Sequence, residues 1–323
     1  SLIASSLDIS NKDFLSGKIN LKGNGKGKIV NEGDITAAKD VALVGGGEVT
    51  NNGKIYSKYN GTALASGSDV TLLFPEMGKM SVRVNKGSLN ALINNGGIII
   101  SDRGDVTLTA WATDTLTRGV INNTGVLEAR GFQGLLDGGV SLAANGDINL
   151  GGRVTAQYAR KIEAVGKNVN VSDGTVLNAQ STILSSTREN GYVKVGRIDS
   201  TKGTTAISAD NVLTTATGHQ SKFASDVGVY ARTPGKNIDV ADTSVKTENQ
   251  IRNDKGGVSA GLIEAVAKSG NALKIQNTAG DINVNNAEVN YGNLTLGSDK
   301  TVNINSQMKG DGLQVSAGKI NQA

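Results

Sequence analysis

Cysteine is absent from the 323 residues, and His219 is the only imidazole. Disulfides, thiolate metal sites and cysteine nucleophiles are thereby excluded, and imidazole chemistry is left with one candidate. Proline occurs only 2 times whereas Gly reaches 43, so the turns of this chain are made by Gly, Asn and Asp. Aromatic residues amount to 3%, too few to fill a globular core. A narrow core of Val, Ile, Leu and Ala is the alternative, because stacked short strands favour small and β-branched residues that repeat in register. No apolar run approaches the ~18 residues of a membrane span. Ser1 to Ser10 has neither the charged region nor the apolar region of a signal peptide, so the chain reads as soluble, with any export signal upstream. Charge is close to balance, 33 basic against 29 acidic residues. The surplus of +4 supports no more than weak attraction to anionic surfaces. Nucleic-acid binding lacks its basic stripe with interleaved aromatics.

What is present is a repeat. Val30-Asn31-Glu32-Gly33-Asp34-Ile35 returns as Thr50-Asn51-Asn52-Gly53-Lys54-Ile55, 20 positions on (51 − 31 = 20). The phrase recurs as Ile93-Asn94-Asn95-Gly96-Gly97-Ile98 and as Ile121-Asn122-Asn123-Thr124-Gly125-Val126. Companion phrases Asp40-Val41-Ala42-Leu43, Asp69-Val70-Thr71-Leu72 and Asp105-Val106-Thr107-Leu108 each open on a turn-forming Asp. In the second half Ile148, Val169 and Val193 form one series, Val154, Val176 and Ile198 a second, and Ile162, Ile183 and Ile207 a third. Asp281-Ile282-Asn283-Val284 returns as Thr301-Val302-Asn303-Ile304, and Leu294 as Leu313.

Three series imply three strand faces per repeat. Strands of four or five residues with alternating apolar positions and so constant a period fit one coil of a parallel β-solenoid. The fold expected is an all-β, right-handed parallel β-helix with coils of roughly 20 residues and extra-helical hairpins or loops. At ~4.8 Å per stacked strand it would run to about sixteen coils and a rod on the order of 75 Å.

The Asn before each Gly has two readings. Its amide stacks on the equivalent amide of the next coil, with Asn31 and Asn51 the best candidates, or it merely tolerates left-handed turn geometry. From Asn51 to Asn94 the gap is 43 (94 − 51), which is two coils or one with a large excursion. Leu72 to Val84 around Pro75-Glu76-Met77-Gly78 reads as a β-hairpin outside the coils. The pattern fades from Thr201 to Thr233. Leu262 to Lys268 reads as strand in preference to a short helix stopped by Gly270.

Candidate chemistry is sparse. Gly23-Asn24-Gly25-Lys26-Gly27-Lys28 lacks the spacing of a phosphate loop, and Gly45-Gly46-Gly47 runs into Glu48 and Val49 without the Asp of a calcium-binding nonapeptide. A carbohydrate-cleaving β-helix would need paired carboxylates or an Asp beside a base. Asp102, Arg103 and Asp105 supply those types but sit at a turn between repeats, and His219 reads as a loop histidine. Asn60-Gly61-Thr62, Asn122-Asn123-Thr124, Asn170-Val171-Ser172 and Asn293-Leu294-Thr295 match the N-glycosylation sequon, a weak signal. No catalytic, cofactor-binding or metal-ligating residue is assigned, and no cofactor is expected. The chain reads as a non-enzyme.

The stretch from Leu92-Ile93-Asn94-Asn95-Gly96-Gly97-Ile98 through Val106-Thr107-Leu108-Thr109-Ala110 to Val120-Ile121-Asn122-Asn123-Thr124-Gly125-Val126-Leu127-Glu128-Ala129-Arg130 resembles the haemagglutination-activity domain of two-partner-secretion exoproteins of the filamentous-haemagglutinin type. Together with Ser5-Ser6-Leu7-Asp8-Ile9-Ser10 the resemblance covers residues 1–136, without the family's Asn-Pro-Asn-Gly phrase and N-terminal cap. Residues 137–323 resemble the degenerate repeats that follow that domain. The resemblance implies an outer-membrane transporter as partner, export as an unfolded chain, folding at the cell surface, and an adhesive filament that meets a receptor, glycan included, on host cells or other bacteria. The same domain opens the shafts of contact-dependent growth-inhibition proteins, which is the alternative purpose. The repeat predicts that the purified chain is β-rich and elongated. A far-UV spectrum dominated by helix, or small-angle scattering from a compact sphere, would overturn that expectation.

Overall fold

A computed structural model describes residues 1–74, 80–113, 119–131, 139–157, 161–172, 174–187, 191–194, 296–304 and 312–323 with side chains. Between 195 and 311 it otherwise describes the backbone of strands alone. Among the described residues the chain is all-β but for one short helix, Asn11–Leu15, and it divides into two units, Ser1–Lys167 and Asn168–Ala323.

In the first unit most strands belong to three parallel ladders that the chain visits in rotation. The first ladder stacks Lys28–Asn31, Glu48–Asn51, Leu92–Asn95, Val120–Asn123 and Asp147–Leu150. The second stacks Asp34–Ala37, Lys54–Ser57, Ile98–Ser101, Val126–Ala129 and Arg153–Ala156. The third stacks Leu2–Ser5, Val41–Gly45, Thr62–Ser66, Val106–Ala110, Val140–Ala144 and Lys161–Gly166. Side chains alternate along each strand, and the inward positions repeat like on like. Val49, Ile93, Ile121 and Ile148 are sealed from solvent in the first ladder, Ile55, Ile99, Leu127 and Val154 in the second, and Leu43, Leu64, Leu108 and Leu142 in the third. Each such residue removes from water an apolar side chain worth about 1.5–3 kcal/mol.

The corner between the first two ladders is polar inside. Asn31 Nδ2 donates to Asn51 Oδ1, Asn51 to Asn95 and Asn95 to Asn123, each at 2.8 Å. The amides are buried, so the stacked reading of the repeated Asn holds. Each Nδ2 also faces the carbonyl two residues on, as in Asn31 to Gly33 at 3.0 Å. Where Leu150 takes the next rung, Asn123 Nδ2 turns to the Gly151 carbonyl at 2.9 Å. The glycine two residues after Asn51, Asn95 and Asn123 allows the coils to approach: a Cβ on Gly97 would collide with the Gly53 carbonyl oxygen.

Sequence spacing along this ladder runs 20, 44 and 28. The gap after Asn51 is therefore one coil carrying an excursion. That excursion contains Asp69–Leu73 and Ser81–Lys86, an antiparallel hairpin as expected, whose tip at 75–79 lies outside the described residues. The hairpin joins Ile19–Lys22 and Asp8–Ile9 in a separate antiparallel sheet of four strands. Val70 and Leu72 of this sheet pack with Leu7, Leu21 and Met80 against Ala42, Val44, Ala63 and Ala65. Those four are the outward residues of two third-ladder strands, and their small size is what lets a second layer sit there. In the next strand the same positions are Thr107 and Thr109, half-exposed.

Two sequence expectations need correction. Asp69-Val70-Thr71-Leu72 is no equivalent of the Asp40 and Asp105 phrases, because Val41 stacks on Thr62 and Thr62 on Val106. Thr62-Ala63-Leu64-Ala65-Ser66 is the true third-ladder strand, and its low hydrophobicity hid it. In the second unit, Val176 and Ile183 are only half-buried, while Thr175, Leu177, Thr182 and Leu184 face inward. Adjacent apolar pairs left the face undecided, and a slip of one residue reverses every side chain.

The second unit is again parallel. Asn168–Val171 pairs with Tyr192–Val195 and that with Asn211–Thr214. Thr175–Asn178 pairs with Ile198–Ser200, and Ser181–Ser186 with Thr204–Ala209. Val258–Val266 is strand over most of the stretch weighed as a short helix. Leu294 pairs with Leu313, as their spacing suggests.

Three substitutions rank by where they fall. Ile121→Asp should be worst, since an unpaired buried carboxylate costs several kcal/mol and the lost apolar burial adds roughly 2. Asn95→Ala deprives Asn51 of its ladder acceptor and Asn123 of its donor, at about 1–3 kcal/mol for each group left unpaired. Asp102→Asn weakens one surface ion pair and should cost less than about 1 kcal/mol. Thermal melts with limited proteolysis check the order. Cleavage should cluster near residue 121 in the first variant, and equal resistance in all three would refute the assigned inward face.

Candidate functional surface

The turns between the second and third ladders stack upon one another. Lys58 and Tyr59 N–H donate to the carbonyls of Ala37 and Ala38, Asp102 N–H to Ser57, and Arg130 N–H to Ser101. Side chains of successive turns are thereby held one strand spacing apart, ~4.8 Å. The stack carries Lys39, Lys58, Arg103 and Arg130 together with Tyr59, and it also carries Asp40, Asp102 and Asp105.

Asp40 and Asp105 do the same work two coils apart. Asp40, buried, accepts from the Gly61 N–H at 3.3 Å and from Asn60 Nδ2 at 2.9 Å, and Asp105 accepts from the Gly139 N–H at 2.7 Å. A carboxylate that opens the strand thus staples the turn of the following coil. Asp102 lies 3.3 Å from the Arg130 guanidinium, whose Nε is also 2.7 Å from Glu128. Glu128 first and Asp102 second push the Arg130 pKa up, so its charge is fixed. Asp102, Arg103 and Asp105, the residues considered for glycan cleavage, are thus spread over three different tasks: an ion pair, a ring contact and a turn staple.

Arg103 lies over the ring of Tyr59 at 5.2 Å, and Lys58 Nζ lies 4.9 Å from the same ring. Tyr59 remains 45% exposed, a ring with two cations held on it by the ring quadrupole. The hydrogen bond from Lys58, and then its charge, hold the Tyr59 phenol below the usual tyrosine range and raise the Lys58 ammonium correspondingly. Sequence reasoning missed this group. The signal available was a cation recurring in each turn of the stack with one aromatic among them, in a chain where aromatics are scarce.

The two glycine runs weighed as ligand loops pack on each other. Gly46 N–H donates to Ser6 Oγ and Gly47 N–H to the Gly27 carbonyl. A Cβ on Gly46 would press on the Gly25 Cα and the Gly27 nitrogen. Their glycines answer to this close approach of two backbones. Of the sequons, Asn60 is tied to Asp40, and Asn122 donates to Asn94 at 2.8 Å and accepts from Asn149 at 2.7 Å in an outer amide row. His219 and the side chain of Asn293 lie outside the described residues. Among the described residues no group of three His, Cys, Asp or Glu gathers to hold a metal, and no helix is long and apolar enough to cross a membrane.

No protein-family model matches this sequence, and no curated protein matches it.

The Tyr59 group makes a direct prediction. Because its folded pKa is depressed, Tyr59 should ionise at lower pH than an unperturbed tyrosine, and Lys58→Ala should move that ionisation back up. Ultraviolet difference titration of the two proteins reads this, and superimposable curves would show that the Lys58 contact does not form.

Proposed function

We propose that this chain is a segment of a right-handed parallel β-helix from a two-partner-secretion exoprotein, delivered through an outer-membrane transporter and displayed at the bacterial surface as an adhesin. The observation that carries the reading is the buried asparagine row. Two of its four phrases, at Asn95 and Asn123, belong to the stretch on which the family resemblance rests, and they lie in direct register with the repeats at Asn31 and Asn51. The text that looks like the haemagglutination-activity domain is therefore the text that builds the corner of the coil. Three parallel ladders visited in rotation support the solenoid, and the strong right-handed preference of parallel crossovers supports its hand.

Adhesion is assigned to the outer side of the turns. The core of each coil is consumed by stacking, and variable contacts in such proteins are free to vary only where loops leave the strands. The exposed Tyr59, with Lys58 and Arg103, is the described group best suited to a carbohydrate or protein receptor, since an amphipathic ring loses little conformational entropy on contact. The reading is tested by adsorbing the purified chain to beads and measuring attachment to cultured epithelial cells and to bacteria. Saturable attachment that soluble chain competes away, and that falls at least about tenfold when Lys58 and Tyr59 are both replaced by Ala, is expected; tenfold corresponds to ~1.4 kcal/mol of binding. Absence of attachment to either surface would overturn the adhesive reading. Turnover of polygalacturonate that is lost in Asp102→Asn would replace it with a carbohydrate-cleaving β-helix.

A further inference from the structure

Five Asn-Gly pairs lie in the described residues, at Asn24, Asn52, Asn60, Asn95 and Asn145, and their environments differ in one respect. Asn-Gly is the dipeptide in which a side-chain amide carbon and the following backbone nitrogen meet with least steric hindrance, because the second residue has no Cβ. In four of the pairs the fold ties up one or both of these partners. Asn52 Nδ2 donates to Glu32 and the Gly53 N–H to the Asn31 carbonyl. Asn60 Nδ2 and the Gly61 N–H are both taken by the carboxylate of Asp40. Asn95 is 1% exposed, donates to Asn123, and its Gly96 N–H is bonded to the Asn51 carbonyl. Asn145, also buried, accepts from the N–H groups of Ala112 and Gly119 and donates to the Ala112 carbonyl.

Asn24 is the exception. Its side chain is exposed in the loop that leads from Ile19–Lys22 of the antiparallel sheet to Lys28–Asn31 of the first ladder. Its contact is the Lys26 N–H, donated to Asn24 Oδ1 at 3.1 Å. That bond polarises the amide carbonyl and leaves Nδ2 unrestrained. Gly25 has φ of 73°, and its N–H donates to no group among the described residues.

We propose that Asn24-Gly25 is a site of spontaneous deamidation, through which this loop ages while the other four described Asn-Gly pairs persist. The Gly25 nitrogen, on losing its proton to base, attacks Asn24 Cγ. The bond from Cγ to Nδ2 breaks, and that nitrogen leaves as ammonia with the proton returned to it. The product is a five-membered succinimide. Water then opens the ring. Cleavage between the ring nitrogen and Cγ gives aspartate, and cleavage on the main-chain carbonyl side gives isoaspartate, with the backbone rerouted through Cβ. Either product places a new carboxylate, and the second an extra main-chain atom, where Gly25 and Gly27 pack against Gly46 and Gly47. The change therefore falls on the joint between the antiparallel sheet and the first ladder. Reaction elsewhere is slow because hydrogen bonds hold the reacting atoms out of the near-attack geometry, and small misplacements of that kind cost up to about a hundredfold in rate.

The test is peptide mapping by mass spectrometry of the intact folded chain held at neutral and at mildly alkaline pH, with chromatographic separation of aspartate from isoaspartate. The expected result is conversion at Asn24 at least about tenfold faster than at Asn52, Asn60, Asn95 or Asn145, accelerating with pH. Both products should disappear in Asn24→Gln, whose longer side chain closes the ring poorly. Asn24 converting no faster than Asn52 or Asn60, or a rate indifferent to pH, would overturn the proposal.

Discussion

The first unit depends on one constraint: at the corner between two ladders, successive coils must come close enough for a buried amide to reach the amide of the next coil. The Asn31, Asn51, Asn95 and Asn123 contacts at 2.8 Å are possible because Gly53, Gly97 and Gly125, two residues after the last three of them, leave room for the main chain of the neighbouring coil. A buried amide without partners would cost more than a typical hydrogen bond gains, so the row favours a single register as well as closeness. Apolar stacks such as Val49, Ile93 and Ile121 would tolerate a shift along the strand far better than the amides do. The amide row thus fixes which residue stands over which, and the aliphatic rows supply most of the burial.

With register fixed, the rest of the unit follows from what each coil places on its outside. Third-ladder strands present Ala42, Val44, Ala63 and Ala65 outward, and a second sheet settles on that flat apolar area. Where the outward residues become Thr107 and Thr109, the covering ends. The opening aspartates hold the turns between ladders in a common conformation by accepting N–H groups from the next coil. Turns stacked in this way carry side chains at a regular spacing, and that is how Lys58 and Arg103, from different coils, come to share the ring of Tyr59.

The same economy bears on function. A stack in which each repeat touches only its neighbours keeps its stability local, so loops can be lengthened or exchanged without loss of the core. The excursion between Asn51 and Asn95 is inserted in this manner, with the ladders closing above and below it. The adhesive role proposed above would use this arrangement by altering recognition in the loops while the strands stay constant.

The sequence by itself determined the repeat, the parallel stacking and the Asn31–Asn51 pair, because these depend on residue types recurring at fixed spacing; it counted the next step to Asn94, whereas Asn95 takes that rung. Asn31 and Asn51 are legible as neighbours for that reason, as is the hairpin around Pro75, where the repeat is broken by a turn-forming proline. The tertiary structure alone decided which strand fills the third ladder after Val41. Thr62–Ser66 carries one large aliphatic residue, Leu64, and its membership rests on the neighbours above and below it. It also decided the faces of Val176 and Ile183, where two adjacent apolar residues satisfy either alternation and only packing against the next coil selects one. The Tyr59 group was illegible for a related reason: Lys58 is adjacent in sequence, but Arg103 reaches the ring from another coil, across an excursion whose length carries no periodic signal. Side chains brought together by stacking can be read from sequence where the repeat is regular, and not where a loop of arbitrary length separates the partners.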